Sequence, residues 1–319
     1  MVSQGALQRK LFWFFRIVLS MLLLGLLFWR FDWGGLLQVI QRGQWGYLIG
    51  PVLCFWAGFW LSSLRWQAVL QGMQISQRLA YLFLLNLKGY FWNNFLPSTV
   101  GGDGYRFLEL SRLYPTRRAA VFASVLLDRV YGYLTLLIVH LLLLPALFPL
   151  LVGQPVVLAI EAGVIVVMVV FLALWRVRHG WMVRVSAWEH RLAEIGRRAA
   201  RVLATMERQP GATVARSLLY SGGFVGLNGV ALWLYLRALT VQLPFLPVLF
   251  ASTLGALLGA LPLSLNGLGL MELALVLALS PLGVRREEVL LAAFLLRGIN
   301  LVMAVPGGVL YLWESWRAR

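Results

Sequence analysis

The sequence predicts an all-α polytopic membrane protein, and three observations carry that prediction. Hydrophobic residues make up 61% of the 319-residue chain and the mean hydropathy is +0.80, more than a water-soluble domain of this length tolerates. Several apolar stretches reach the roughly 20 residues that a helix needs to cross a bilayer, where only a helix satisfies its own backbone hydrogen bonds. The net charge of +16 gathers in the connections and at span ends, as the basic flanks of membrane helices do. An outer-membrane barrel, with its alternating strands, does not fit this pattern, and nucleic-acid binding is a weaker account of the charge.

Six segments read as full crossings: 11–29, 45–64, 119–144, 155–175, 217–239 and 289–313. The first follows Arg9 and Lys10 and has no small-residue cleavage site after it, which marks a retained anchor. Two further apolar regions, 79–105 and 245–282, run at membrane depth into residues that break helices. The first reads Asn93-Asn94-Phe95-Leu96-Pro97-Ser98-Thr99-Val100-Gly101-Gly102-Asp103-Gly104, and the second Leu261-Pro262-Leu263-Ser264-Leu265-Asn266-Gly267-Leu268-Gly269. Each precedes a similar span, Ala123 to Asp128 in one case and Ala292 to Arg297 in the other. The expectation is an internal repeat containing two broken re-entrant hairpins.

Positive charge orients the two halves. Full crossing by residues 79–105 would place Arg112, Arg117, Arg118 and the arginine-rich linker 176–213 opposite the basic amino terminus, against the rule that such segments stay cytoplasmic. A hairpin returning to the cytoplasm removes the conflict and gives residues 1–175 and 214–319 inverted topology within one integral membrane domain. Arg285 and Arg286 then fall outside, partly offset by Glu287 and Glu288. Within the linker, Trp181, Val185, Trp188, Leu192, Ile195, Ala199, Val202 and Met206 recur every three or four residues, which predicts an amphipathic helix on the cytoplasmic surface. Packing on another subunit or as a coiled coil is the alternative.

Chemistry is read from the few polar groups at membrane depth. Cys54 is alone, and His140, His179 and His190 have no partners at ligand spacing, so neither a disulfide nor a metal site is expected. No Ser/His/Asp set, Cys/His pair or HExxH motif is present, and Asp103 and Asp128 are not clustered to hold magnesium; no catalytic residue and no cofactor are expected. A charge inside the bilayer costs about 2.5 to 3.5 kcal/mol, so it persists when paired or when it lines a polar cavity. The groups concerned are Arg65, Lys88, Asp103, Arg106, Asp128, Arg129, Glu272 and Arg297. For Arg65 and Arg106, snorkelling to the interface stays open beside a functional role. Asp128, Arg129, Glu272 and Arg297 lie deeper, and the two arginines, at neighbouring positions in equivalent spans, are expected to face one cavity. Gly101, Gly102, Gly104, Gly267 and Gly269 are expected to form two facing phosphate cradles, with Asn93, Asn94, Ser98, Thr99, Ser264 and Asn266 adding polar contacts. Close packing of a tight turn is the competing role for these glycines.

These residues resemble the transmembrane region of the lysylphosphatidylglycerol synthase family, the flippase part of the multiple peptide resistance factors. The resemblance spans nearly the whole chain and rests on Leu64-Arg65-Trp66, on Asn94-Phe95-Leu96-Pro97 followed by Gly101-Gly102-Asp103 and Arg106, on Asp128-Arg129, and on Gly267-x-Gly269 with Glu272. It implies a membrane domain that translocates a lipid with a charged or sugar-bearing headgroup. Met271 stands where many relatives carry arginine, which implies fewer cations at the site. With the sequence ending at Arg319, a stand-alone member without the synthase domain is expected. Its substrate would be an anionic phospholipid or a polyprenyl-phosphate or glycolipid headgroup, moved across the inner membrane, with a homo-oligomer or a lipid-synthesis enzyme as the further partner. The runner-up is a membrane-embedded enzyme or assembly subunit acting on lipid-linked intermediates, and a third reading is a structural scaffold.

Topology is testable directly. In a Cys54→Ala background, single cysteines at Ser98 and at Asn266 are expected to react with impermeant maleimide from the cytoplasmic and outer faces respectively. Labelling of both from one face contradicts inversion.

Overall fold

The computed structural model describes residues 18–26, 40–95, 101–151, 153–166, 209–261 and 263–317, and these are helical throughout apart from short connections. Residues 176–208 of the expected linker, the turn carrying Ser98 and Thr99, and the remainder of the first and fourth expected crossings lie outside the described residues, while the linker's expected end at 213 is corrected to before Gly211, where the next helix begins. Nine helices are labelled α1 to α9 in chain order. They are α1 (Ile49–Gly72), α2 (Leu79–Phe95), α3 (Gly101–Leu113) and α4 (Arg118–Leu151); α5 (Pro155–Val166); and α6 (Gly211–Ala238), α7 (Phe245–Ala260), α8 (Leu270–Leu279) and α9 (Arg286–Arg317). A shorter helical segment covers residues 18–26.

The chain is a multi-pass α-helical membrane protein. At 1.5 Å per residue, α1, α4, α6 and α9, of 24, 34, 28 and 32 residues, each outreach the roughly 30 Å hydrocarbon core. Long apolar side chains such as Ile138 and Leu142 on α4 and Val302, Val305 and Leu312 on α9 stay exposed, where lipid rather than water solvates them. Trp313 and Trp316 end the outer face of α9, with the Arg317 guanidinium 3.9 Å above the Trp313 ring, a pairing suited to the headgroup layer.

α2, α3, α7 and α8 are shorter, with 17, 13, 16 and 10 described residues. The 18-residue span Leu265–Leu282 is reached by joining α8 to its flanking 3₁₀ turns. α2 with α3 and α7 with α8 pair as antiparallel hairpins. Gly89 lies against Gly102 and Arg106, while the Asn93 side chain accepts the Gly102 amide at 2.8 Å. In the second hairpin Gly255 and Gly259 lie against Met271, and Gly255 also meets Leu275. Absent side chains let the backbones approach, the usual route to close helix packing in lipid. Gly267, at φ +70°, serves a tighter purpose, since a Cβ there would sit 2.6 Å from the Gly259 carbonyl oxygen.

The halves repeat one local design. α1 and α6 end alike: Gln74 and Thr240 adopt left-handed φ values of 57° and 65°. Ile75 N–H donates to Leu70 C=O and Val241 N–H to Leu236 C=O, each at 2.9 Å, with Gln74 N–H to Gln71 C=O and Thr240 N–H to Arg237 C=O inside them. This double bond pattern is the Schellman cap, here built without glycine at the left-handed position. A hairpin and then a long helix follow in each half. Packing is exchanged between halves: α2 of the first lies against α9 of the second, and α7 of the second against α4 of the first, while α1 and α6 run against one another. Two buried cores result, one around Trp66, Leu70, Leu82, Leu110 and Leu127, the other around Leu232, Leu236, Leu254, Leu275 and Val289.

Glycines set the α2–α9 seam, where a Cβ at Gly307 would overlap the Leu87 carbonyl. Gly307→Leu is expected to lower stability by roughly 1 to 3 kcal/mol through overpacking. Gly104→Ala, which meets nothing within 4 Å, is expected to be neutral or slightly stabilising; thermal unfolding of the two purified variants in detergent checks the contrast.

Candidate functional site

In the first half, sequence-distant charges assemble into one chain of ion pairs. Arg65 comes from α1, Asp103 and Arg106 from the start of α3, and Asp128 and Arg129 from α4. Asp128 is 1% exposed and accepts Arg65 Nε at 2.7 Å on one oxygen and Arg106 Nη2 at 3.0 Å on the other. Arg106 Nη1 is 3.4 Å from Asp103. Asp103 in turn receives Nε and Nη2 of Arg129 at 2.8 and 3.1 Å, a two-pronged fork.

Surroundings fix this chain at its inner end. Arg65 Nη1 donates to Ser221 of α6 at 3.1 Å, and Gly132 leaves the space its guanidinium occupies. The Arg106 guanidinium lies 3.9 Å from the centre of the Trp66 ring, whose indole N–H donates to Ser124 at 3.2 Å. Arg106 Nε is buried without a hydrogen-bond partner. At the other end the Arg129 side chain is 38% exposed. Asp103 occupies the first turn of α3, where a carboxylate also complements the helix dipole.

The charges do not cancel. Three guanidiniums (Arg65, Arg106, Arg129) face two carboxylates (Asp103, Asp128), leaving one surplus positive charge. The surplus belongs to the network as a whole, and Arg129 is its most exposed cation, with Arg65 and Arg106 both enclosed around Asp128.

The second half holds a neutral counterpart. Glu272, fully buried in the first turn of α8, accepts the Gly269 amide at 2.8 Å and forms a short ion pair with Arg297 Nε of α9. The remaining Arg297 nitrogens reach the turn itself, Nη2 to the Gly267 carbonyl at 2.9 Å and Nη1 to the Asn266 carbonyl at 3.2 Å. Left-handed backbone at Asn266 (φ 49°), Gly267 and Gly269 points those carbonyls at the guanidinium. The parallel with the first half is close. An acid in the first turn of the second hairpin helix pairs with an arginine 26 residues later for Asp103 and 25 later for Glu272.

The structure thus joins Arg65, Asp103, Arg106, Asp128 and Arg129 in one network and Asn266, Gly267, Gly269, Glu272 and Arg297 in another. Arg129 and Arg297, expected to face one cavity, each pair with an acid of their own half, Asp103 and Glu272 respectively. Asp128 neutralises Arg65 and Arg106 rather than its neighbour Arg129. The cradle arrangement is altered too: the Gly102 and Gly269 amides are already taken by Asn93 and Glu272, Asn94 Nδ2 donates to the Tyr90 carbonyl at 2.9 Å, and the second turn offers carbonyls to a cation. Gly101 opens α3, and Ser98 lies outside the described residues. Lys88, 9% exposed in its side chain, pairs with Glu314 near the end of α9 at 2.6 Å. That acid escaped sequence reading because it sits among tryptophans past the end of the apolar stretch. No group of three metal-ligating side chains occurs among the described residues.

A family model described as the lysylphosphatidylglycerol synthase TM region matches residues 13–308, and the chain belongs to that family. No curated protein matches it. The matched region is a transmembrane one associated with lipid, not a catalytic domain, so the protein has a lipid-related membrane function.

Removal of the enclosed carboxylate tests the network. Asp128→Asn strips two buried guanidiniums of their partner and is expected to lose about 3 to 5 kcal/mol. Arg129→Gln, at the half-open end, is expected to lose under about 1 kcal/mol. Chemical denaturation of both variants in the same detergent measures the difference.

Proposed function

We propose that the protein is a lipid flippase of the inner membrane that moves an anionic phospholipid or lipid-linked phosphate, whose phosphate docks on Arg129. The observation behind this reading is the uncancelled charge of the five-residue network. A buried network that existed only for stability would gain by pairing every cation, since each unpaired charge is penalised in a low dielectric. An arginine held in place by Asp103 and partly open is suited to a phosphate, which takes planar forked donors well. The hairpins supply the mechanism: two short broken elements near mid-membrane, arranged in repeated halves, are the architecture with which transporters expose one site alternately to each side. Arg297, with its donors already engaged by Glu272 and the turn carbonyls, holds the second hairpin closed rather than receiving the first contact.

Charge-assisted hydrogen bonds contribute about 1.5 to 3 kcal/mol each, so loss of the Arg129 contact corresponds to roughly a 10- to 150-fold slower step. In liposomes, Arg129→Gln is expected to reduce flipping of a fluorescent anionic phospholipid by that factor, with Arg129→Lys recovering only part because a point charge cannot fork. Lipid mass should stay unchanged, which separates transport from enzymatic conversion. Normal flipping by a stable Arg129→Gln protein refutes the assignment.

A further inference from the structure

We propose that His140 of α4, Glu161 of α5 and Thr253 of α7 form a proton-binding site inside the membrane, through which proton movement is coupled to the second hairpin. The coupling part of this proposal rests on the transport reading above; the proton site itself does not.

The geometry brings three helices to one imidazole. His140 is fully buried and Glu161 is 3% exposed. His140 Nδ1 lies 2.8 Å from Thr253 Oγ1 and Nε2 lies 3.0 Å from Glu161 Oε2. The ring stacks on Phe250 at 4.8 Å with an interplanar angle of 17°, and Phe250 belongs to the apolar core that includes Leu147, Val157 and Leu254. The second carboxylate oxygen, Glu161 Oε1, is buried with no hydrogen-bond partner.

Proton counting makes this a site with two states. The Thr253 hydroxyl donates to the Phe250 carbonyl at 2.8 Å, so its oxygen is left to accept from His140 Nδ1–H. Nε2 and the Glu161 carboxylate then face each other as two acceptors unless one further proton lies between them. With it, the pair is neutral overall, as imidazolium with carboxylate or as imidazole with carboxylic acid. Without it, the pair carries one negative charge beside an unsatisfied oxygen, which burial in an apolar core opposes. The other tautomer, with Nε2–H donating to the carboxylate, keeps that negative charge and also requires Thr253 to abandon the Phe250 carbonyl. Binding adds one proton from water between Nε2 and Oε2, and release returns it to water; no other bond changes.

Other titratable groups nearby are committed elsewhere. α7 carries none, and α5 carries only Glu161. Asp128, Arg129, Arg65, Asp103 and Arg106 hold one another, Glu109 holds Arg112, and Glu272 holds Arg297. Arg237 of α6 lies over Trp233. Among the described residues, Cys54, Tyr131, Tyr133, Arg216, Tyr220 and Tyr235 make no hydrogen bond or ion pair with either member.

Coupling follows from where Thr253 and Phe250 sit. Both are on α7, the helix that leads into the Asn266–Gly267 carbonyls gripped by Arg297. Loss of the proton forces either ring rotation or a tautomer change that pulls Thr253 off the Phe250 carbonyl, and each alters the α4–α7 contact. The site is therefore read out at the second hairpin.

Two measurements on purified full-length protein test this. Infrared difference spectra between mildly acidic and mildly alkaline buffer should contain a carboxyl or imidazole band that disappears in both Glu161→Gln and His140→Gln. The glutamine at 161 can donate permanently to Nε2, so that variant is expected to fold. In liposomes with an imposed pH gradient, the parent should change its rate of anionic-lipid flipping at least several-fold, while Glu161→Gln should run at one rate with or without the gradient. Infrared bands unaltered by either substitution, or parental flipping that ignores the gradient, overturn the proposal. Should the parent move no lipid under any gradient, it is the transport reading that fails, and the infrared comparison alone decides the proton site.

Discussion

Asp128 is the group on which the first half depends. A carboxylate at this depth would be untenable alone, and so would either of the arginines that enclose it; together they exchange lost hydration for direct ion pairs. The arrangement ties three helices that are remote in sequence, because Arg65 lies on α1, Arg106 on α3 and Asp128 on α4. Trp66, Gly132 and Ser221 serve it: a ring to cover one guanidinium, a missing side chain to admit another, and a hydroxyl from α6 to accept from Arg65 Nη1. Orientation of the first hairpin relative to the long helices is thereby set by electrostatics, where apolar packing alone would leave it free to slide.

Much of this was legible in the chain. Composition and span length established the membrane-embedded helical class, and of the charged residues picked out at membrane depth all but Lys88, which pairs with Glu314, form the two networks. Resemblance of the two broken regions pointed to a repeat, which the helix caps at Gln74 and Thr240 and the acid–arginine spacing of 26 and 25 residues describe in atomic terms. What escaped was pairing. Adjacent residues such as Asp128 and Arg129 point in different directions on a helix, so Arg129 finds Asp103 instead of its neighbour. His140 looked isolated because its partners are 21 and 113 residues away. Glu161, an acid in an otherwise apolar stretch, was the available signal for that cluster, and sequence reading passed over it.

Glycine proved to have two separate uses. At Gly267 the backbone conformation and the nearness of Gly259 both demand it, whereas at Gly89 and Gly102 the demand is only for room between helices. Sequence alone does not separate these roles, and it suggested phosphate-facing amides at positions whose N–H groups are turned inward to Asn93 and Glu272. The left-handed residues at the α1 and α6 caps show the reverse, with glutamine and β-branched threonine held where glycine would be easier.

The exchanged packing of the halves leaves two seams fastened at different depths. Between α2 and α9, Gly307 lies against the Leu87 backbone and Gly308 against the Phe91 ring, while Lys88 pairs with the half-exposed Glu314 and the Trp92 ring meets that of Tyr311 edge-on at 5.1 Å. Between α4 and α7 a polar latch crosses the interface through His140. A shear of one half past the other must part an ion pair with a half-exposed acid on the first side and a fully buried polar cluster on the second. The pseudo-symmetry of the fold is consequently not a symmetry of its mechanics: one seam is fastened at its half-exposed rim and the other inside the apolar core.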